Sequence, residues 1–199
     1  RTTAEAETSA PTAVDELDRM GQLVQDLAGA AALHGPSPVQ RRPVDIADLL
    51  EQIARKAQGI VGAEVSLVAA ADGVAFLDSG RITQAMLQLA QNAVTHGGGH
   101  VELGSTTRGT LIEVWVRDHG PGVPDDAKPR VFDRFFRDAD SSSPGGSGLG
   151  LNIVQMIARA HGGSTWVEDA GGGGAIFCIS VPLASGLTLP DRIPSRPPL

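Results

Sequence analysis

Leu111-Ile112-Glu113-Val114-Trp115-Val116-Arg117-Asp118-His119-Gly120-Pro121-Gly122 carries an apolar, β-rich run into a carboxylate and two glycines. The run Leu111–Arg117 predicts a strand, with Asp118 at its end facing a glycine turn. A carboxylate there can accept a hydrogen bond from an amino group such as N6 of adenine. Glycines beside it let a flat ring lie close to the backbone. Taken alone, the same residues also read as a simple turn, because Asp and Gly are turn residues.

Working outward, Val101–Ser105 predicts a partner strand across a turn at Arg108-Gly109. Arg81–His96 predicts a helix, ended by Gly97-Gly98-Gly99. Asp45 is expected to cap an earlier helix in which Ile46, Leu49, Leu50, Ile53 and Ala57 recur at helical spacing. Val65–Ala70 and Val74–Leu77, split by Asp72-Gly73, read as a hairpin. Val131–Arg137 reads as a short helix or turn, and Gly148–His161 as a helix leaving a glycine loop. Thr165–Glu168 and Ala175–Val181 read as a last hairpin. Residues 44–183 therefore predict an α+β domain, a two-layer sandwich with about three helices on one face of a mixed sheet of five or six strands. Strict βαβ alternation is absent, which argues against a dinucleotide-binding fold.

The flanks differ in composition. Residues 1–13 are Thr/Ala-rich and expected to be flexible. Residues 14–34 place Leu17, Met20, Val24, Leu27 and Ala31 at alternating spacings of three and four, a seam about two heptads long. Gly35, Pro36, Pro38 and Pro43 mark 35–43 as a linker, and 184–199 is a Pro-rich tail expected to be disordered. The chain opens on Arg1, so it reads as a fragment.

Composition excludes several function classes. Sixteen basic against 23 acidic residues leave a net charge of −7, which argues against general binding to nucleic acid or anionic membrane. A single cysteine, Cys178, excludes a disulfide framework and a multi-Cys zinc site; within Ala175–Ile179 it reads as a core residue. No uncharged apolar run approaches ~18 residues, so nothing reads as a membrane span. The 25 glycines cluster, against five Phe, two Trp and no Tyr.

Three further constellations carry chemistry. On the Arg81–His96 helix, Ile82, Ala85, Met86, Leu89, Ala90 and Ala93 cover one face, and Gln88, Asn92, Thr95 and His96 fall on the other. That second face is either an ordinary solvated one or a place where the Asn92 amide meets a hard cation such as Mg²⁺. Ser143-Pro144-Gly145-Gly146-Ser147-Gly148-Leu149-Gly150-Leu151 precedes a helix, where backbone N–H groups can hold an anion. It is no P-loop, because no Lys-Ser/Thr comes after it, and no dinucleotide fingerprint, because Leu151 stands at the third glycine place. Ser147 is no nucleophile elbow, because position 149 is Leu. Finally, Val131-Phe132-Asp133-Arg134-Phe135-Phe136-Arg137 holds three of the five Phe and could bring an Arg to phosphate.

In this order and spacing, the four features closely resemble the nucleotide-binding domain of bacterial sensor histidine kinases, with its N, G1, F and G2 boxes on the Bergerat ATP-binding fold. Ala93-Val94-x-His96, Val131-Phe132-Asp133-Arg134-Phe135 and Gly148-Leu149-Gly150-Leu151-x-Ile153-Val154 fit this family better than its gyrase or Hsp90 relatives. Glu16-Leu17-Asp18-Arg19-Met20-x-x-Leu23-Val24-x-Asp26-Leu27 resembles the end of the family's dimerisation and phosphotransfer region, so 14–34 implies a homodimer contact.

The resemblance implies ATP and Mg²⁺ as ligands. Asn92 would hold Mg²⁺ against the phosphates. Asp118 would read the adenine, in a pocket shaped by Gly120 and Gly122, with His96 near base or ribose. Gly146, Gly148, Leu149, Gly150 and Leu151 would wrap the phosphates, and Arg134 or Arg137 would reach the γ-phosphate. Three departures are visible. Gln88 stands four residues before Asn92, where relatives carry Asn or Glu, and it cannot take a proton from water. Thr95 replaces a frequent Lys. The phosphoacceptor motif is absent: His34, His96, His100, His119 and His161 all lie in other contexts. His161 reads as a helix C-terminal residue favoured by the dipole.

The chemistry implied by this resemblance is transfer of the ATP γ-phosphoryl to a histidine upstream or on another chain, and from there to a response regulator. The domain would be cytoplasmic, and the full-length protein membrane-anchored. A serine kinase of the anti-sigma type, or a degenerate interaction module with little nucleotide binding, are the rival readings.

Overall fold

Asp45 ends one element and starts the next. In the computed structural model, which describes residues 39–136 and 148–183, it closes strand β1 (Arg42–Asp45) and caps helix α1 (Ile46–Ala57). Its extended backbone lets Oδ1 accept from the Asp48 N–H at 3.0 Å. Ile46, Leu49, Leu50, Ile53 and Ala57 form the buried stripe of α1, as their spacing predicts.

Strands β2 (Glu64–Ala69) and β3 (Val74–Leu77) come next, then helix α2 (Ser79–Gly97) and the hairpin β4 (His100–Arg108) and β5 (Leu111–Arg117). Helix α3 (Gly150–Ala160) leads into the hairpin β6 (Ser164–Asp169) and β7 (Ala175–Pro182). The main sheet has the order β2-β4-β5-β7-β6; β2 and β4 are parallel and the other pairs antiparallel. All three helices pack against this sheet. Val101, Leu103, Ile112, Val114, Val116, Phe177, Ile179 and Val181 form the strand side of one core with the buried faces of the helices. This is the mixed two-layer sandwich that the sequence predicts. Cys178 is buried, as expected, and its thiol is pushed up to about 12 by burial.

Two local expectations are overturned. Val65–Ala70 and Val74–Leu77 do not form a hairpin: β2 pairs in parallel with β4, and β3 pairs antiparallel with β1 in a separate two-stranded sheet. The chain is divided at the connection. Ala71 N–H donates to Ser105 Oγ of β4 at 2.8 Å, and Gly73 O accepts from Ile46 N–H at 3.0 Å. The second bond delivers β3 to the β1–α1 corner, where Val74, Ala75 and Leu77 are all buried. Strand β1 also begins at Arg42, inside the stretch that proline content marks as linker. Among the described residues the count is thus seven strands, not five or six.

His161 is the third correction. It ends α3, but it is 1% exposed, and burial lowers its pKa, so it sits there as a neutral ring rather than as a cation favoured by the dipole. Its Nδ1–H donates to Ile157 O at 2.7 Å, and Nε2 accepts from Asp78 N–H at 3.0 Å. Those two bonds fix its tautomer. The segments 1–13, 14–34 and 184–199, and with them His34, lie outside the described residues, as do Arg137 and Gly146.

Candidate functional site

Asp118 comes directly after β5 and is 5% exposed. Its Oδ1 accepts from Gly120 N–H at 2.9 Å and from Ala175 N–H at 3.1 Å, while its own N–H donates to Ala175 O at 2.9 Å. No hydrogen bond among the described residues reaches Oδ2. Oδ2 is not among the buried polar atoms that lack a partner; it meets solvent, and a ligand donor can take the place of water there. A ligand amino group would do so.

Gly97, the last residue of α2, explains how the helix comes this close. A Cβ there would overlap Cβ of Asp118 and lie 3.0 Å from its Cγ. Gly120 packs on the backbone of His96 and Gly97, and Gly122 (φ 82°) faces Gly174. In the sequence, Gly97 reads only as a helix terminator. Ala175 carries no sign of its role at all, because a main-chain N–H on a distant strand leaves no side-chain signal.

Asn92 lies half-buried on α2, one turn before His96, which is exposed. Thr95 is exposed at its end of the helix, and its hydroxyl donates to Gln91 O at 2.9 Å. Gln88 stands one turn before Asn92, against the start of α3: a Cβ on Gly150 would lie 2.9 Å from its Oε1. It also lines a cleft of about 510 Å³ between α1 and α2, together with Lys56, Ile60, Thr83 and Leu87. Leu149 and Gly150 open α3, Leu151 is half-buried beside them, and no side chain caps this helix. Its N-terminus carries the positive end of the helix dipole, which favours an anion.

Residues 131–136 form turns without a helix. Phe132 is buried, edge-on to Phe177 at 6.3 Å between ring centres. Phe135, at φ 63°, gives its N–H to Gly148 O at 3.0 Å, and Gly148 (φ 67°) lies against the Phe135 backbone, where a Cβ would be 2.9 Å from its Cα. Only glycine combines that φ with that approach. The Arg134 guanidinium lies 4.8 Å from the centre of the exposed Phe135 ring. Upstream, Lys128 bridges Asp125 and Asp169 at 2.6 Å each; the hydrogen bond to Lys128 lowers the Asp125 pKa, and those to Asp125 and Asp169 raise that of Lys128.

Among the described residues, no group of three His, Cys, Asp or Glu could hold a metal ion. Asn92 offers one neutral amide oxygen. That donor set fits Mg²⁺ arriving with phosphates and water, which needs only one or two protein oxygens.

Residues 77–185, more than half of the chain, match the family described as histidine kinase-, DNA gyrase B-, and HSP90-like ATPase. A sensor histidine kinase component, HK1 of Mycobacterium tuberculosis, is 37% identical over 135 residues, 67% of this chain and 79% of that protein. This chain belongs to the sensor histidine kinases. The signal transduction histidine-protein kinase AfsQ2 of Streptomyces coelicolor is 36% identical over 172 residues, 85% of this chain but 32% of AfsQ2. The chain thus spans about a third of that kinase's length.

Solved structures agree. The ATP-binding domain of PrrB from Mycobacterium tuberculosis superposes with a TM-score of 0.62 at 32% identity, covering 73% of this chain and 99% of that one. Full-length ShkA in complex with AMPPNP gives 0.71 at 31% identity, covering 89% and 41%. The histidine kinase domain explains the four motifs as one ATP-binding catalytic unit, and the relatives favour it over the serine-kinase and degenerate-module readings.

Proposed function

We propose that this histidine kinase domain binds Mg²⁺–ATP and transfers the γ-phosphoryl group to a histidine outside the chain. The observation that carries this reading is Asp118: one carboxylate oxygen held by two backbone N–H groups, the other uncommitted, beside a helix that glycine lets approach. Oδ2 would accept from the adenine amino group, and Gly120 and Gly122 would leave room for the ring. His96 would lie at the edge of the base or ribose. The phosphates would lie between Asn92 and the start of α3, with Gly146, Gly148, Leu149, Gly150 and Leu151 supplying backbone N–H groups. Arg134 and Arg137 would reach toward the γ-phosphate.

Mg²⁺ held through the Asn92 amide would neutralise phosphate charge. The protein's part is positioning. An imidazole nitrogen of the acceptor forms the N–P bond as the bond from phosphorus to the β,γ-bridging oxygen breaks; ADP leaves, and the imidazole proton goes to solvent. Gln88 cannot take up a proton, so water is poorly activated while a neutral imidazole is not disfavoured. The acceptor domain, upstream or on another chain, and a response regulator would be the partners. A homodimer through 14–34 and a membrane anchor elsewhere in the full-length protein complete the proposal. No helix among the described residues is long and apolar enough to cross a membrane.

Calorimetric titration with ATP and ADP, with and without Mg²⁺, tests the reading. Binding should strengthen with Mg²⁺ only while Asn92 is present, and Asn92→Ala should abolish that gain. Supplied with an acceptor helix bundle and γ-labelled ATP, the chain should yield an acid-labile, alkali-stable phosphate. An acid-stable product would favour the serine-kinase alternative, and no binding at millimolar nucleotide would overturn both.

A further inference from the structure

Phe132 and Phe135 are tied to the other side of the site at two points. The first is the bond from Phe135 N–H to Gly148 O at 3.0 Å. The second comes from Asn152, in the first turn of α3, whose Nδ2 donates to Phe132 O at 3.0 Å. No backbone N–H among the described residues reaches that carbonyl. Arg134 lies between the two ties. Its main chain is therefore fixed on both sides: after it by glycine-loop backbone, and before it by the Asn152 amide together with the bond from Asp133 N–H to Arg130 O at 2.8 Å. Only the nitrogen of an amide can face a carbonyl, so the donor is assigned by chemistry. Asn152 is also the one position in Gly148–Val154 that the family resemblance leaves unspecified, and Asn is a weak helix former.

We propose that Asn152 is a positioning residue for phosphoryl transfer: through Phe132 O it holds Arg134 at the start of α3, where the γ-phosphate would lie. This rests on the functional reading above. Asn152 need not touch the nucleotide. Its loss would let residues 132–134 turn away from the phosphates, leaving the adenine site at Asp118 untouched. The effect should therefore fall on the terminal phosphate.

The test is titration of the full chain with AMPPNP and with ADP, both with Mg²⁺. Asn152→Asp keeps the shape, removes the donor and sets an oxygen against the carbonyl. It should weaken AMPPNP about 5–10-fold, the size of one lost hydrogen bond, and ADP less than about 2-fold. Asn152→Gln, which keeps a donor, should restore most of the loss. With Arg134→Ala already present, Asn152→Asp should cost nothing more. Equal weakening of both nucleotides, or additive losses with Arg134→Ala, would overturn the proposal. Should Asn152→Asp unfold the domain, Asn152→Ala answers the same question. Failure of the wild-type chain to bind either nucleotide would overturn the functional reading first, and this inference with it.

Discussion

Oδ1 of Asp118 holds a turn, and Oδ2 is left for a ligand. Asp118→Asn separates the two jobs. The amide oxygen can still take the Gly120 and Ala175 N–H groups. The amide nitrogen then faces the ligand as a donor, the wrong partner for an adenine amino group. A hydrogen bond to a charged group contributes about 1.5–3 kcal/mol, so ATP and ADP should each bind at least ~10-fold more weakly. Thermal unfolding should shift by only a few degrees; full affinity in the variant would show that Oδ2 faces no base. The glycines after α2 make a paired prediction. Gly98 caps the helix at φ 79°, and a Cβ there meets nothing within 4 Å. Gly98→Ala should cost about 1 kcal/mol of stability and leave nucleotide affinity alone. Gly97→Ala drives a Cβ into Asp118, an overpacking of about 1–3 kcal/mol, and should lower both Tm and affinity. Calorimetry beside thermal melts distinguishes the two.

Helices α2 and α3 bring their site-bearing residues together, and His161 ties them at the opposite end. It accepts from Asp78, the N-cap of α2, and donates into the last turn of α3. Burial lowers its pKa from 6.5, opposed by the bond to Ile157 O; Arg41 lowers it further and Asp78 raises it. The unfolded ring takes a proton first as the pH falls, so its stabilisation is complete above about pH 6.5 and is lost below that, down through the lowered folded-state value. His161→Ala should cost about 1–3 kcal/mol at pH 7.5 by leaving the Asp78 N–H unpaired. Its Tm should also fall less than the wild type's between pH 7.5 and 5.5; parallel curves would refute the neutral role. Elements with a regular period were legible: the apolar stripe of α1, the β4–β5 and β6–β7 hairpins, and the strand ending at Asp118. The role of His161 was not, because burial is set by its neighbours. Nor was the start of α2 at Ser79, because Gly80 in its first turn reads as a breaker. The pairing of β2 with β4 was hidden for a similar reason: two bonds decide it, one from Ala71 N–H to the Ser105 hydroxyl and one from Ile46 N–H to Gly73 O, and Asp72-Gly73 looks like any hairpin turn.

At the scale of the molecule, proline content and hydrogen bonding disagree about where the domain begins. Pro36, Pro38 and Pro43 suggest that the folded unit starts near Val44. Yet Gln40 N–H donates to Asp78 Oδ2 at 3.1 Å, Arg41 Nη2 to Ala160 O at 2.5 Å, and Arg42 and Pro43 pair with Leu77 and Phe76. Proline fits in β1 because it is an edge strand, paired among the described residues with β3 alone. Residues 40–43 thus join the N-cap of α2 to the C-terminus of α3, the two helices that carry the site. A chain running from Val39 keeps all of these ties and should keep the nucleotide affinity of the domain. One starting at Val44 loses the bonds of Gln40 and Arg41 and half of β1, about 2–4 kcal/mol at roughly 1 kcal/mol per hydrogen bond. For a domain of this size that is a fall of about 8–15 °C in Tm. Equal melting of the two chains would mean that 40–43 is linker after all, and that the ties at Asp78 and Ala160 contribute nothing; a gap of the expected size would move the domain boundary to Val39 and make the entering strand part of the frame that sets α2 against α3.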